Sequence, residues 1–119
     1  MCGIIGGFDI PQIEKGLNSI IHRGPDNQQC VQMENIYFGH VRLSIIDTSN
    51  ESNQPFVYGD TTMIFNGTIW NYLELRNSLN IETKTSGDTE VLCAILDRYG
   101  IDGLKKVQGM FDIAFTQGD

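Results

Sequence analysis

Cysteine and histidine are scarce in this sequence and scattered along it. Cys2, Cys30 and Cys93 are odd in number and widely spaced, no Cys-x-x-Cys pair occurs, and no histidine lies close enough to complete a zinc pattern. Neither a disulfide framework nor a metal site is expected. Long apolar runs are missing too. Stretches such as Ser19-Ile20-Ile21 and Val41-Arg42-Leu43 break within a few residues, far short of the roughly 18 that cross a bilayer, so a soluble chain without membrane contact is expected. No basic segment followed by an apolar one opens the sequence, which argues against a secretory signal and for a reducing cytoplasm. Positive charge is short as well: 8 Lys+Arg stand against 15 Asp+Glu, a formal net charge of −7, and no basic cluster exceeds Lys105-Lys106. Such a surface repels phosphate backbones, so nucleic acid is a poor partner. No repeat, low-complexity tract or linker divides the 119 residues, a length that supports one domain.

What is present suffices for a modest core, with 40% hydrophobic and 19% charged residues. Met1 to Phe8 is apolar and studded with glycine, which predicts a buried strand, because Gly3, Gly6 and Gly7 would each weaken a helix. From Pro11, Ile13, Leu17, Ile20 and Ile21 share one helical face, and the helix must stop before Gly24-Pro25. Residues 29–33 and 36–46 predict strands in which Val31, Met33, Tyr37, Val41, Leu43 and Ile45 share a face. Asp47 to Asn53 reads as a loop, Thr61 to Phe65 as a strand, and Tyr72, Leu75 and Leu79 as a helix. Val91, Leu92, Ile95, Leu96 and Tyr99 mark a further helix, with Asp88 as N-cap and Gly100 as its end. Phe111, Ile113 and Phe115 alternate as a last strand. The fold class is α+β, with antiparallel sheets covered by helices.

Cys2 carries the most chemistry. Removal of Met1 would leave a thiol and a free α-amine on one residue, and an amine of ordinary pKa about 7.7–8.0 can act as base for its own nucleophile. The alternative is a cysteine that merely begins a buried strand. Asn66-Gly67 is the favoured pair for a two-residue hairpin turn, and local sequence alone favours that reading. The same residues could donate a side-chain amide and a backbone N–H to one oxyanion. Arg42 either faces solvent or clamps a carboxylate at the end of its strand. Asp88 either caps its helix, the safer local reading, or holds a substrate ammonium. His22 and His40 lack any context placing them beside Cys2, so a Cys–His hydrolase is disfavoured, and Cys30 and Cys93 read as core residues.

Taken together, Met1-Cys2-Gly3-Ile4-Ile5-Gly6, His22-Arg23-Gly24-Pro25-Asp26, His40-Val41-Arg42-Leu43-Ser44-Ile45-Ile46-Asp47, Gln54-Pro55, Asn66-Gly67, Ser86-Gly87-Asp88-Thr89-Glu90 and Gly109-Met110-Phe111 form an ordered set. In that order the sequence resembles class II glutamine amidotransferases, and most nearly the N-terminal glutaminase domain of asparagine synthetases, over essentially the whole chain. The resemblance implies an N-terminal-nucleophile sandwich, αββα, that hydrolyses L-glutamine to glutamate and ammonia. It implies Cys2 as nucleophile and Asn66 and Gly67 as oxyanion hole. Arg42 would lie on the substrate carboxylate, Leu43 and Ile45 along the pocket, and Asp88 on the substrate ammonium. No metal or other cofactor would serve glutamine hydrolysis; ATP and Mg would belong to a partner synthetase domain that consumes the ammonia. Two departures stand out. The family usually continues with Glu where Thr68 stands, a loss expected to cost about 1–3 kcal/mol of glutamine affinity. The domain, residues 1–119, is also expected to be reduced or truncated, without the usual C-terminal part and without a synthetase domain. Its open sheet edges would then call for a complementing chain or a homodimer. The alternative function is a non-catalytic glutamine-binding or scaffold relative.

Overall fold

Alternating apolar segments and glycine-rich turns produce six strands and three helices in the computed structural model, which describes residues 2–45 and 47–118. Met1 of the expected first strand and Ile46 of the expected 36–46 strand lie outside the described residues. Strand β1 (Gly3–Phe8) leads to α1 (Ile13–Ser19) and a single 3-10 turn, Ile21–Arg23. Strands β2 (Asn27–Met33) and β3 (Ile36–Arg42) follow, then a 3-10 turn at Asn50–Ser52 inside the expected loop. Next come β4 (Phe56–Tyr58), β5 (Thr61–Ile69), α2 (Tyr72–Ser78) and α3 (Asp88–Tyr99). A 3-10 segment, Gly100–Lys106, leads into β6 (Gly109–Gln117).

The strands form two antiparallel sheets of three, in the orders β1-β3-β2 and β4-β5-β6. The sheets face each other through their central strands: the ring of His40 in β3 reaches the carbonyl of Phe65 in β5, and Gly6 in β1 lies against Ile64. On the outer face of the first sheet, α1 seats Leu17 over Gly39, where a Cβ would come within 2.9 Å of the leucine. On the outer face of the second, Leu92, Cys93 and Leu96 of α3 pack on Met63, Phe65 and Ile69. The layers are therefore helix, sheet, sheet, helix, in the α+β class expected. No helix among the described residues is long and apolar enough to cross a membrane.

Four local expectations need correction. The face-sharing pattern assigned to β3 fails, because every residue from Phe38 to Arg42 is buried; with α1 on one side and the second sheet on the other, the strand has no wet face. The strand also ends at Arg42, leaving Leu43 and Ile45 in the following loop. The helix expected up to Gly24 is α-helical only to Ser19. Finally, Asn66-Gly67 is not a hairpin turn. Both residues lie inside β5, in unbroken register with β6 from Thr61↔Gln117 to Ile69↔Gly109. The long-range partner overrides the local turn preference. The turn in this sheet is instead Gly59-Asp60, between Tyr58 and Thr61, where Gly59 takes φ +57 and Asp97 accepts hydrogen bonds from the Asp60 N–H and the Thr61 hydroxyl, both at 3.0 Å.

Candidate active site

Where β3 ends, the chain turns away from the sheet and leaves a cleft between the first strand, the loop after Arg42, the middle of β5 and the start of α3. Cys2, immediately before β1, lies at its rim, half-buried, and its Sγ lies 3.3 Å from the Leu43 N–H that donates to it and 3.7 Å from the Leu43 carbonyl. The Arg23 side chain donates to the Cys2 carbonyl at 3.0 Å, fixing the backbone of the same residue. Cys2, Arg42, Leu43 and Ile45 all line one cavity of about 90 Å³. Asn66, Gly67 and Asp88 line it from the other side. Residues up to 86 positions apart in sequence thus meet around one thiol.

Arg42 is neither solvent-facing nor idle. It is buried, and its guanidinium donates to the carbonyls of Asp47 and Ser49 and to the Asn53 side chain. That uses three of its five N–H donors to hold the loop 47–53 and leaves two. Asp88 is not the N-cap of α3: Gly87 holds that position in extended conformation. Asp88, in the first turn, instead accepts the Ile69 N–H through Oδ2 at 2.9 Å. Burial pushes its pKa up, and the amides of Ile69, Asp88 and Thr89 partly offset this. The cap expectation failed because the carboxylate found a backbone donor on β5, 19 residues away, that local sequence could not display.

Asp47, Ser52 and Gln54 also line the cavity, in roles the sequence did not display. Asp47 accepts hydrogen bonds from the Ser49 N–H, the Ser86 N–H and the Ser86 hydroxyl. The Ser49 side chain foremost, and then these backbone and Ser86 bonds, hold its carboxyl well below the usual range. It ties the loop after Arg42 to the turn before α3. Gln54 is buried and accepts the Phe65 N–H at 2.6 Å. Ser52 Oγ and Asn66 Oδ1 are buried without a hydrogen-bond partner among the described residues, so both retain capacity for something entering the cavity. Thr68 lines the cavity as well.

Elsewhere, His40 is fully buried between the sheets and away from the Cys2 sulfur contacts; burial and the neighbouring Arg42 charge lower its pKa to about 4, against a raising hydrogen bond to Phe65. Cys93 is buried as expected, whereas Cys30 is only half-buried because β2 is an edge strand. Among the described residues no group of three His, Cys, Asp or Glu is arranged to hold a metal ion.

Residues 1–118 match the family model described as a glutamine amidotransferase domain. The chain belongs to the glutamine amidotransferase family. Within curated relatives, it is 41% identical to asparagine synthetase (glutamine-hydrolyzing) 1 of Bacillus subtilis, over 93% of this chain and 20% of that protein. It is 35% identical to putative asparagine synthetase (glutamine-hydrolyzing) 2 of Methanocaldococcus jannaschii, over 93% of this chain and 27% of that one. An amidase of Penicillium rubens is 34% identical over 86% of this chain and 16% of its own length. This chain therefore spans between 16% and 27% of the length of these three relatives.

Proposed function

We propose that the chain hydrolyses L-glutamine to L-glutamate and ammonia through a thioester on Cys2. The supporting observation is the convergence of Cys2, Asn66, Gly67 and Asp88 on one cavity, with the sulfur held 3.3 Å from the Leu43 amide. Once Met1 is removed, the Cys2 α-amine takes the thiol proton and the thiolate attacks the side-chain carbonyl carbon of glutamine. Negative charge then develops on the carbonyl oxygen, and the Asn66 side-chain amide and the Gly67 N–H donate to it. Collapse breaks the C–N bond as the ammonium formed on Cys2 returns its proton to the departing nitrogen, which leaves as ammonia. Water, deprotonated by the same amine, cleaves the thioester and frees glutamate. Arg42 directs its two remaining donors at the substrate carboxylate, Leu43 and Ile45 line the aliphatic part, and Asp88 holds the ammonium with the oxygen not bonded to Ile69.

The ammonia passes to a synthetase activity of asparagine-synthetase type, on a further domain or another chain, and ATP and Mg act there. The names of the Bacillus and Methanocaldococcus relatives support this reading. The same reading sets the reaction in the cytoplasm and allows a second chain or a homodimer at the open sheet edges. The test is glutamate release by protein shown by intact mass to begin at Cys2. Turnover abolished by Cys2→Ala is expected; a folded, correctly processed parent without turnover would discard the mechanism.

A second reading, a glutamine-binding module without turnover, draws on Thr68, which offers no carboxylate to the substrate ammonium, and on the engagement of Arg42 by the loop 47–53. Calorimetry of glutamine on Cys2→Ala beside an activity assay of the parent separates the two, since binding with no parental turnover supports the module.

A further inference from the structure

Strand β5 outruns its neighbour. The last β4–β5 pair is Phe56↔Met63, yet β5 continues to Ile69 with β6 on its other side only. Backbone groups alternate in direction along an antiparallel strand. The Trp70 N–H points at β6, where it donates to the Gln108 carbonyl at 2.7 Å, so even-numbered residues face β6 and odd-numbered ones face the edge that β4 has vacated. Phe65, Gly67 and Ile69 are the odd residues there. Buried polar groups on such an edge require substitutes for the missing strand, and side chains supply them. Gln54 Oε1 accepts the Phe65 N–H at 2.6 Å, His40 Nε2 lies 3.1 Å from the Phe65 carbonyl, and Asp88 Oδ2 accepts the Ile69 N–H at 2.9 Å. Because a carbonyl only accepts, His40 is the donor and carries its proton on Nε2. Among the described residues no side chain caps the N–H of Gly67, which lies between the capped residues and lines the cavity.

We infer that Gln54 and His40 are positioning residues, a two-point clasp on Phe65 that takes the place of a partner strand and aims the Asn66 and Gly67 donors into the cavity. The inference rests on the oxyanion role proposed above. Both clasp residues are buried, Gln54 at 3% and His40 at 0% exposure, and they come from separate parts of the fold, Gln54 from the loop before β4 and His40 from β3 of the facing sheet, so the clasp fixes β5 along its hydrogen-bonding direction at the residue next to the donors. A group placed to stabilise a transition state loses much of its effect when displaced by about 1 Å. An intact clasp should therefore matter more to kcat than to glutamine binding.

The test compares Gln54→Met and His40→Leu, which remove the acceptor and the donor, with Gln54→Glu and His40→Gln, which retain them. Each is assayed for glutamate release, and each is made again on Cys2→Ala for glutamine calorimetry. In the first pair kcat should fall about 10- to 100-fold, up to the lower bound for losing an oxyanion donor outright, while glutamine affinity stays within about threefold. The second pair should recover at least a tenth of parental kcat. Unchanged kcat in Gln54→Met and His40→Leu would overturn the clasp, as would equal losses of kcat and affinity without recovery in the conservative pair. Failure of all four to fold would assign these residues to stability and would equally overturn it. A parent without turnover instead overturns the proposed reaction, with its own signature: no glutamate from any variant.

Discussion

Environment separates the three thiols. Cys93 is buried in α3 among Met63, Phe65 and Leu96, and burial pushes its pKa up to about 12, so almost no thiolate exists near neutrality. Cys2 and Cys30 are half-buried. Iodoacetamide at pH 8 should therefore modify Cys2 and Cys30 in the native protein and reach Cys93 only in denaturant, as peptide mass spectrometry after timed quenching would read out. Native labelling of Cys93 at the rate of Cys30 would contradict the burial argument. These cysteines were half legible: Cys2 from its position near the terminus and Cys93 from its neighbours in an apolar helix, whereas Cys30 looked like core because sequence does not reveal which strand is an edge. Asp47 was not legible at all, since its partner Ser86 is 39 positions away. Joining the loop after Arg42 to the turn before α3, it shapes the cavity without touching Cys2. Asp47→Asn weakens three accepted hydrogen bonds, so KM for glutamine should rise severalfold with kcat held within about twofold, the pattern of lost uniform binding. An equal fall in kcat would move Asp47 into the chemistry.

Among the elements, α3 was the most legible because its apolar stripe is long and its end is marked by Gly100, which takes φ +65. β4 was invisible, since three residues are too few to show alternation. The Asn66-Gly67 error is instructive: a turn preference of local origin lost to a nine-residue pairing between β5 and β6. That pairing is close-fitting. A Cβ on Gly109 would lie 2.1 Å from the Thr68 carbonyl oxygen, a backbone atom that cannot swing aside, whereas one on Gly7 in β1 would meet only the flexible Ile10 side chain at 3.4 Å or more. Gly109→Ala should thus destabilise by about 3 kcal/mol through overpacking. Gly7→Ala should be neutral or stabilising by about 0.5 kcal/mol, because alanine restricts the unfolded chain. Urea unfolding of the two variants checks this directly, and equal losses would mean that glycine content rather than contact sets the cost.

At the scale of the whole molecule, two sheets meet over a histidine. The α+β class and the antiparallel pairing were readable from periodicity, but the stacking was not, because β3 is buried on both faces and His40 gave no sign that its partner would be the backbone of β5. That stacking has a consequence in acid. His40 is fully buried, and its pKa falls from 6.5 to about 4 because burial disfavours the imidazolium, with the Arg42 charge acting in the same direction against the Phe65 hydrogen bond. The unfolded chain therefore takes up a proton at a higher pH than the folded one, and stability present above pH 6.5 is lost as pH falls toward 4. The loss amounts to about 3 kcal/mol at 1.36 kcal/mol per unit. Asp88 acts in the opposite sense: burial raises its pKa, so its contribution grows as it gains a proton, within a range above the ordinary carboxylate value. Asp47, with its depressed pKa, loses its contribution only below that value. The urea midpoint should accordingly drop between pH 7 and pH 4.5 in the parent. His40→Gln, which keeps the donor to Phe65 but cannot be charged, should start lower at pH 7 and show a markedly flatter profile over the same interval. Parallel profiles for the two proteins would mean that the sheets separate, or hydrate, before His40 takes up its proton.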